Sequence, residues 1–475
     1  IIENHAELKE KIGEEHFESE TDTEVIPHLL EKNLENSGLK TAVEKTISQL
    51  EGSYAVTAIL ETGEMIAFRK DSPLAIGLKE DETFVASDVN PFLEHTNQAI
   101  FLENGDYAVI HEKVEIFNSG KPVNREVQEI DWNAEEASKE GFDHFMQKEI
   151  HEQPETIKRA AYQDREEVKK STEMIENADR VFLTGCGTAS YAAMLGAKYL
   201  RDSGVEAFAE QSHEFEYMAS TVKEDDLVIA VSQSGETADL LSALDEVSCP
   251  VLSVTNVVGS TLARNSSHTL YINAGPEIGV ASTKAFTSQL AVLKLISYTI
   301  REDFEHGRNS LLETAEKIKP MLEQNQEQIE RLSDYISEKD DIYFIGREKG
   351  VELAKEASLK LKELSYIHSE AFPGGEFKHG TLSLIEDGVP VFAFLNGDET
   401  NTVSNAVEAG SRGAEIIGIG PNSRDEFDQF IEIPEDENRE IMEIIPFQLL
   451  AYETSLKKDN NPDKPRNLAK SVTVK

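Results

Sequence analysis

A repeat constrains the fold of this chain more than any other feature. The apolar run Leu227-Val-Ile-Ala-Val231 leads into Ser232-Gln-Ser-Gly-Glu-Thr237, and much later Val389-Pro-Val-Phe-Ala-Phe394 leads into Leu395-Asn-Gly-Asp-Glu-Thr400. Each copy reads as a buried strand, a polar glycine loop and the start of a helix. Around them short apolar runs alternate with helical patterns, at 180–184, 226–231 and 250–255, and again at 341–345, 390–395 and 414–419. Strand-helix alternation of this kind builds a parallel sheet covered on both faces. The expectation is α/β: two tandem doubly wound domains with a long helical stretch, 320–337, between them.

Ahead of the repeats the periodicity is different. Segments 54–60, 65–69, 74–78, 83–87, 99–102 and 107–117 are short and alternating, with hairpin signals at Glu61-Thr-Gly63 and Asn104-Gly-Asp106. They predict an antiparallel sheet. Two amphipathic helices are expected before it, over 22–35 and 39–50. From about 119 to 170 the chain turns polar, carries its only tryptophan, Trp132, and reads as an interdomain connection with a helical stretch over 142–152. Residues 461–475 hold two prolines and no periodicity, and read as a tail.

Composition narrows the partners. At 475 residues the length suggests roughly three units. With 90 acidic against 46 basic residues the formal charge is -44, which argues against nucleic acid or an anionic membrane as partner. Any anionic ligand then needs a locally positive site. The acidity is spread over helix faces, as on a solvated surface, and suits work in high salt, where self-repulsion is screened. Cys186 and Cys249 are the only cysteines, so neither a disulfide framework nor a four-cysteine zinc site is available, and a cytosolic location is the default. No apolar run is long enough to span a membrane and no signal peptide is visible. The chain begins at Ile1, so a fragment of a longer protein is expected.

In an open parallel sheet, ligands bind beyond the carboxyl ends of the strands, where helix N-termini present unpaired N–H groups to anions. The 232–237 loop stands at that place, and is either a phosphate cradle or an ordinary capping loop. A second loop, Gly185-Cys-Gly-Thr-Ala-Ser190, follows the first strand of the same domain, and two such loops in one crevice favour phosphate. On the helix after residue 352, Glu356, Lys360 and Glu363 share one face. This is either a solvated face or a proton shuttle, a carboxylate with a nearby cation. His379 sits in a glycine-rich loop and is able to act as acid or base. Lys470, among small apolar residues, is either a solvated charge or a nucleophilic amine.

Taken together these motifs resemble the isomerising glutamine–fructose-6-phosphate aminotransferase family, across the whole chain. The resemblance rests on Ser232-Gln-Ser-Gly-Glu-Thr237, Glu277-Ile-Gly-Val-Ala-Ser-Thr-Lys284, Leu359-Lys-Leu-Lys-Glu363 with Tyr366-Ile-His368, Gly375-Glu-Phe-Lys-His-Gly380 and Pro465-Arg-Asn-Leu-Ala-Lys-Ser-Val-Thr-Val474. It implies that glucosamine 6-phosphate is made from fructose 6-phosphate and glutamine, with no cofactor or metal. Ser232, Gln233, Ser234 and Thr237 would hold the phosphate, with Thr188 and Ser282 on the sugar. Lys470 would form an imine with the open-chain ketose, Glu363 would move the proton between C1 and C2, Lys360 would assist at the sugar oxygens, and His379, from the neighbouring subunit of a homodimer, would open the ring.

By the same resemblance, residues 1–118 are the C-terminal part of a type 2 glutamine amidotransferase domain, an N-terminal-nucleophile fold. Residues 119–171 are the linker, 172–311 and 333–465 the two sugar isomerase domains, and 466–475 a catalytic tail. Asp22, in Ser19-Glu-Thr-Asp-Thr23, would hold the glutamine amino group. The family's nucleophilic cysteine lies upstream of Ile1, so the chain as written is expected not to hydrolyse glutamine. Two departures stand out: the family's Cys-Gly-Thr-Ser is Cys186-Gly-Thr-Ala-Ser190 here, so Ser190 either shifts in to serve the sugar or that contact is lost, and His-Gly-Pro is His379-Gly-Thr381. An ammonia-dependent isomerase or deaminase, and a sugar-phosphate-binding regulator, remain as alternatives.

Overall fold

The computed structural model describes residues 1–130 and 139–472; Trp132 lies outside them. The chain divides into two compact units, residues 1–137 with 236–239 and 471–475, and residues 138–235 with 240–470. Among the described residues no helix is long and apolar enough to cross a membrane.

The first unit carries helices Val25–Leu34 and Leu39–Gln49, with Asp22–Glu24 forming a short 3-10 turn where the sequence suggested the start of the first helix. Its strands are β1 Tyr54–Ile59, β2 Met65–Lys70, β3 Ala75–Leu78, β4 Thr83–Ala86, β5 Gln98–Phe101, β6 Asp106–Ile110, β7 Val114–Asn118, β8 Lys121–Val123 and β9 Gln128–Glu129. The single sheet expected is in fact two antiparallel sheets, ordered β1-β2-β6-β7-β8 and β4-β3-β5-β9. The period-two alternation explains this, because both faces of the interior strand β2 are buried. Ile66 and Phe68 pack with Val25, Leu29 and Val43 of the helices, whereas Ala67 packs with Ile76, Ile100 and Leu102 around the second sheet. The 107–117 segment is not one strand but the hairpin β6–β7, turning at the charged His111-Glu112-Lys113, where the His111 amide bonds the Lys113 carbonyl.

The second unit holds the repeat. Its first sheet comprises β10 Val181–Gly185, β11 Ala207–Gln211, β12 Leu227–Ser232, β13 Val251–Thr255 and β14 His268–Tyr271, all parallel, in the order β11-β10-β12-β13-β14. The second comprises β15 Asp341–Gly346, β16 His368–Pro373, β17 Pro390–Phe394, β18 Glu415–Gly420 and β19 Gln429–Glu432, in the matching order β16-β15-β17-β18-β19. In each, the strand order reverses between the first and third strands, which is where a doubly wound sheet opens its ligand crevice. The duplication extends to backbone angles. Gly187, before the helix that follows β10, has φ 53° and ψ -129°, and Glu348, before the helix that follows β15, has φ 52° and ψ -120°.

One contiguous apolar core joins the two sheets, running from Leu183 and Ile229 through Leu293 and Ile318 to Phe344, Phe392 and Phe447. Helix Lys284–Ile300 lies within it, every residue from 284 to 298 being buried. The helix between the repeats is longer than expected, Phe304–Ser337, with Pro320 inside it rather than at its start. Burial of Leu311, Ala315, Ile318, Leu322, Ile329, Leu332 and Ile336 along one face offsets the hydrogen bond that proline cannot make. Helix Phe145–Ala161 likewise outruns the 142–152 expectation; Asp463 accepts from the Phe145 and Met146 amides (3.0 and 2.9 Å), so the tail segment caps it.

Candidate functional site

Two loops leave the carboxyl end of the first sheet side by side, because β10 and β12 are paired neighbours. At the end of β12, the buried Ser232 hydroxyl accepts from the Gly235 amide (3.0 Å), closing the turn. Gly235 has φ +67°, and a Cβ there would lie 2.6 Å from the Ser260 Cβ. Only glycine allows this turn to close against Ser260. Gln233 and Ser234 on the loop are half-buried; Thr237, half-buried, immediately precedes helix Ala238–Asp245.

The other loop delivers Thr188 as the first residue of helix Thr188–Asp202. Its position there follows from packing between the repeats. Helix Lys349–Ser365 of the second repeat lies against it, with Lys349 bonding Asp202 (2.8 Å) and Lys198 bonding Glu352 at the far end. At the near end, the Thr188 hydroxyl donates to Glu356 (3.2 Å) and accepts from Lys360 Nζ (3.1 Å). Lys360 is completely buried and also lies 2.6 Å from Glu363 and 3.5 Å from Glu356. The face expected from sequence is therefore no solvated face: it is a buried cation between two carboxylates. Burial works against the charge on Lys360, yet Glu356 and Glu363 hold its pKa above the ordinary range. Burial pushes Glu356 up to about 7, with Lys360 opposing and Glu363 adding. Ser190 is buried, and its hydroxyl is committed to the Gly187 carbonyl (2.6 Å) within the same loop.

Lys470 is no solvated tail charge either. Its Nζ donates to Glu277 (2.6 Å) and to the Gly279 carbonyl (2.8 Å). Upstream, Arg466 holds the tail against Tyr366, its amide bonding the tyrosine hydroxyl (2.8 Å) and its guanidinium lying over the ring. Glu277 is fully buried, and its other oxygen accepts from the Thr283 and Ala285 amides (2.9 and 3.0 Å), so the carboxylate caps helix Lys284–Ile300 from a distance. The Ser282 hydroxyl donates to it as well (3.1 Å). Burial opposes the Glu277 charge, but Lys470 and those donors hold its pKa below the ordinary value. Glu277 also contributes to keeping Lys360 charged, so the Lys470 and Lys360 clusters share one electrostatic environment.

Sequence reasoning gave Glu277 and Glu356 no role. Glu277 had one available signal, a carboxylate a few residues before a helix start; Glu356 had its place on the Lys360 face. His379 stands apart: its side chain is exposed and its ring has no hydrogen-bond partner among the described residues. In the first unit, Asp22 accepts from the Ile2 amide (2.5 Å), and that bond lowers its pKa against a smaller effect of burial. Among the described residues no three or more His, Cys, Asp or Glu side chains are grouped to hold a metal ion.

This arrangement can hold an anion at two loop ends, move a proton at a carboxylate beside a fixed cation, and present an amine. Comparison with known proteins gives matching results. The family model described as SIS domain matches residues 174–297 and 335–458, and that described as glutamine amidotransferase domain matches residues 1–94. The glutamine–fructose-6-phosphate aminotransferase [isomerizing] of Thermococcus kodakarensis is 42% identical over 503 residues, spanning 100% of this chain and 83% of its own. That of Halobacterium salinarum is 39% identical over 505 residues, spanning 100% and 84%. Among solved structures, the C-terminal domain of glucosamine-fructose-6-phosphate aminotransferase from Francisella tularensis is 31% identical with TM-score 0.64, covering 69% of this chain and 100% of that one. The tagatose-6-phosphate ketose/aldose isomerase of Escherichia coli, 19% identical with TM-score 0.60 over 68% of this chain and 95% of its own, shares the fold.

Proposed function

Because this chain belongs to the isomerising glutamine–fructose-6-phosphate aminotransferase family, we propose that the site at the carboxyl end of its first parallel sheet is where fructose 6-phosphate receives nitrogen and becomes glucosamine 6-phosphate. The chain is an enzyme of that reaction, transferring ammonia to the ketose and isomerising the product, with glutamine as the family's source of the ammonia. The phosphate lies in the 232–237 loop, with Ser232, Gln233, Ser234 and Thr237 and the adjacent helix N-terminus as donors. Thr188 and Ser282 face the sugar hydroxyls.

The observation that carries this reading is the tether of Lys470 to Glu277 and the Gly279 carbonyl. To attack the C2 carbonyl of the open-chain ketose, Lys470 gives up a proton, and the Glu277 oxygen 2.6 Å away is the acceptor at hand. Loss of water then forms the imine, and ammonia adds at C2 and displaces the Lys470 amine, leaving the sugar imine on which the proton shift runs. Glu363, beside Lys360, carries the proton between C1 and C2, and Lys360 steadies the oxyanion that develops on the sugar. Asp22 binds the glutamine amino group. His379, exposed on its loop, opens the sugar ring of the neighbouring subunit in a homodimer.

The test is to incubate the 475-residue chain with fructose 6-phosphate and ammonium and to assay glucosamine 6-phosphate. Product formation that Lys470→Arg abolishes supports the proposal. Tight binding of fructose 6-phosphate with neither product nor isomerisation would point to a binding module instead. Mixing His379→Ala subunits with Lys470→Arg subunits restores partial activity if the histidine acts across a dimer interface, and none if it acts within its own chain.

A further inference from the structure

A buried carboxylate next to this site has no part in the chemistry described so far. Glu149 lies in the first turns of helix Phe145–Ala161 and is 2% exposed. Its Oε1 accepts two hydrogen bonds from a distant segment, the amides of Ile278 (2.5 Å) and Gly279 (3.1 Å). Its Oε2 is buried with no hydrogen-bond partner among the described residues. That oxygen would be 2.8 Å from a Cβ at position 279, so a side chain there would have to displace the Glu149 carboxylate. The Gly279 carbonyl is one of the two anchors of Lys470, and Glu277, two residues earlier, is the other. Both anchors thus belong to one short stretch of backbone, and Glu149 ties that stretch to a helix.

The surrounding charges fit a role beyond neutralisation. Lys284, 2% exposed, is paired with Glu152 (2.6 Å), and Lys148, on the same helix as Glu149, lies near Glu152 (3.3 Å) and Glu140 (2.9 Å). Burial and the Glu277 carboxylate push Glu149 up to about 7, against the pull of Lys470, Lys284 and the Ile278 amide.

We propose that Glu149 is a positioning residue for Lys470: by holding the Ile278 and Gly279 amides it fixes the Gly279 carbonyl that receives Nζ, and so sets the path by which the amine reaches the ketose carbonyl. This rests on Lys470 being the imine-forming lysine. Displacement of a reacting group by about 1 Å is enough to slow a step about a hundredfold without weakening binding elsewhere. Glu149→Ala removes both acceptor bonds, whereas Glu149→Gln keeps one amide-accepting oxygen in place.

The experiment follows borohydride trapping on fructose 6-phosphate, with the labelled peptide identified by mass spectrometry, alongside steady-state kinetics with ammonium. Glu149→Ala is expected to slow labelling of Lys470 and lower kcat by about a hundredfold, with KM for fructose 6-phosphate within about twofold of the parent. Glu149→Gln is expected to recover both to within about threefold. Should Glu149→Ala fail to fold, Glu149→Asp, which withdraws the acceptor by one carbon–carbon bond, is expected to show the same kcat-only loss. Labelling of Lys470 at the parental rate in the alanine or aspartate variant, or a loss confined to KM, overturns the positioning role. If the parent chain is labelled at a lysine other than Lys470, the imine assignment itself fails and takes the proposal with it.

Discussion

Replacing Lys360 with methionine, which keeps the side-chain length, probes the buried cluster most directly. Lys360 is fully buried with Glu363 at 2.6 Å, Glu356 at 3.5 Å and the Thr188 hydroxyl at 3.1 Å. Removing one partner of a buried pair costs about 3–5 kcal/mol because the opposite charge is left uncompensated. Part of that cost depends on pH. Glu356 sits at about 7, against an ordinary 4.5, with the lysine in place, so without the lysine its pKa rises further. At pH 5 the carboxyl is protonated in both folded forms and contributes almost nothing to their difference. Above pH 7 the parent ionises while the variant must keep its proton, at about 1.4 kcal/mol for each pH unit. The deficit of Lys360→Met should therefore grow by about 1 kcal/mol between pH 7 and pH 8, and adding Glu356→Gln should remove that growth. Urea denaturation of the intact chain at pH 5, 7 and 8 measures it. A deficit independent of pH, or one that Glu356→Gln leaves unchanged, would refute the claim that the Lys360 ammonium compensates a buried Glu356 carboxylate.

Other consequences are more local. Glu443, buried beside Arg439 and Asn396, is raised by burial to about 7; its folded pKa exceeds the unfolded value, so the native state binds the extra proton and stability falls as pH rises from about 4.5 to about 7. Glu443→Gln should match the parent near pH 4.5 and exceed it by up to about 3 kcal/mol at pH 8, read from urea midpoints. Gly235→Ala forces a Cβ onto Ser260 and a left-handed backbone onto alanine, and should raise KM for fructose 6-phosphate at least about tenfold, measured by initial rates. With a formal charge of -44, the melting temperature should rise on addition of KCl as self-repulsion is screened; a fall would remove the expectation of a high-salt setting.

What the sequence disclosed, and what it hid, follows from the range of the interactions involved. The central strands β10, β12, β13, β15, β17 and β18 are almost wholly buried and read as apolar runs. The edge strands β11, β14, β16 and β19 carry residues such as Glu210, His268, Glu370 and Gln429 on partly exposed faces, and no run announced them. Pro320 misled because helix-breaking is a local rule, and here a long buried face overrides it. For the site, the spacing of Glu356, Lys360 and Glu363 placed them on one face, but whether that face met water or another helix depended on Thr188, far away in sequence. Glu149 was invisible for the same reason: inside a helix, with both its amide partners more than a hundred residues distant, it leaves no local pattern. The tail, which showed no periodicity in the sequence, is held by Asp463 and Arg466, through contacts with helix Phe145–Ala161 and Tyr366 that only the folded chain brings together.

The most direct test of the central claim is the site of covalent capture. When the chain is incubated with fructose 6-phosphate, reduced with borohydride and digested, mass spectrometry should find the hexose phosphate adduct on Lys470, and it should vanish in Lys470→Arg. An adduct on another lysine, or one that persists in that variant, would contradict the account.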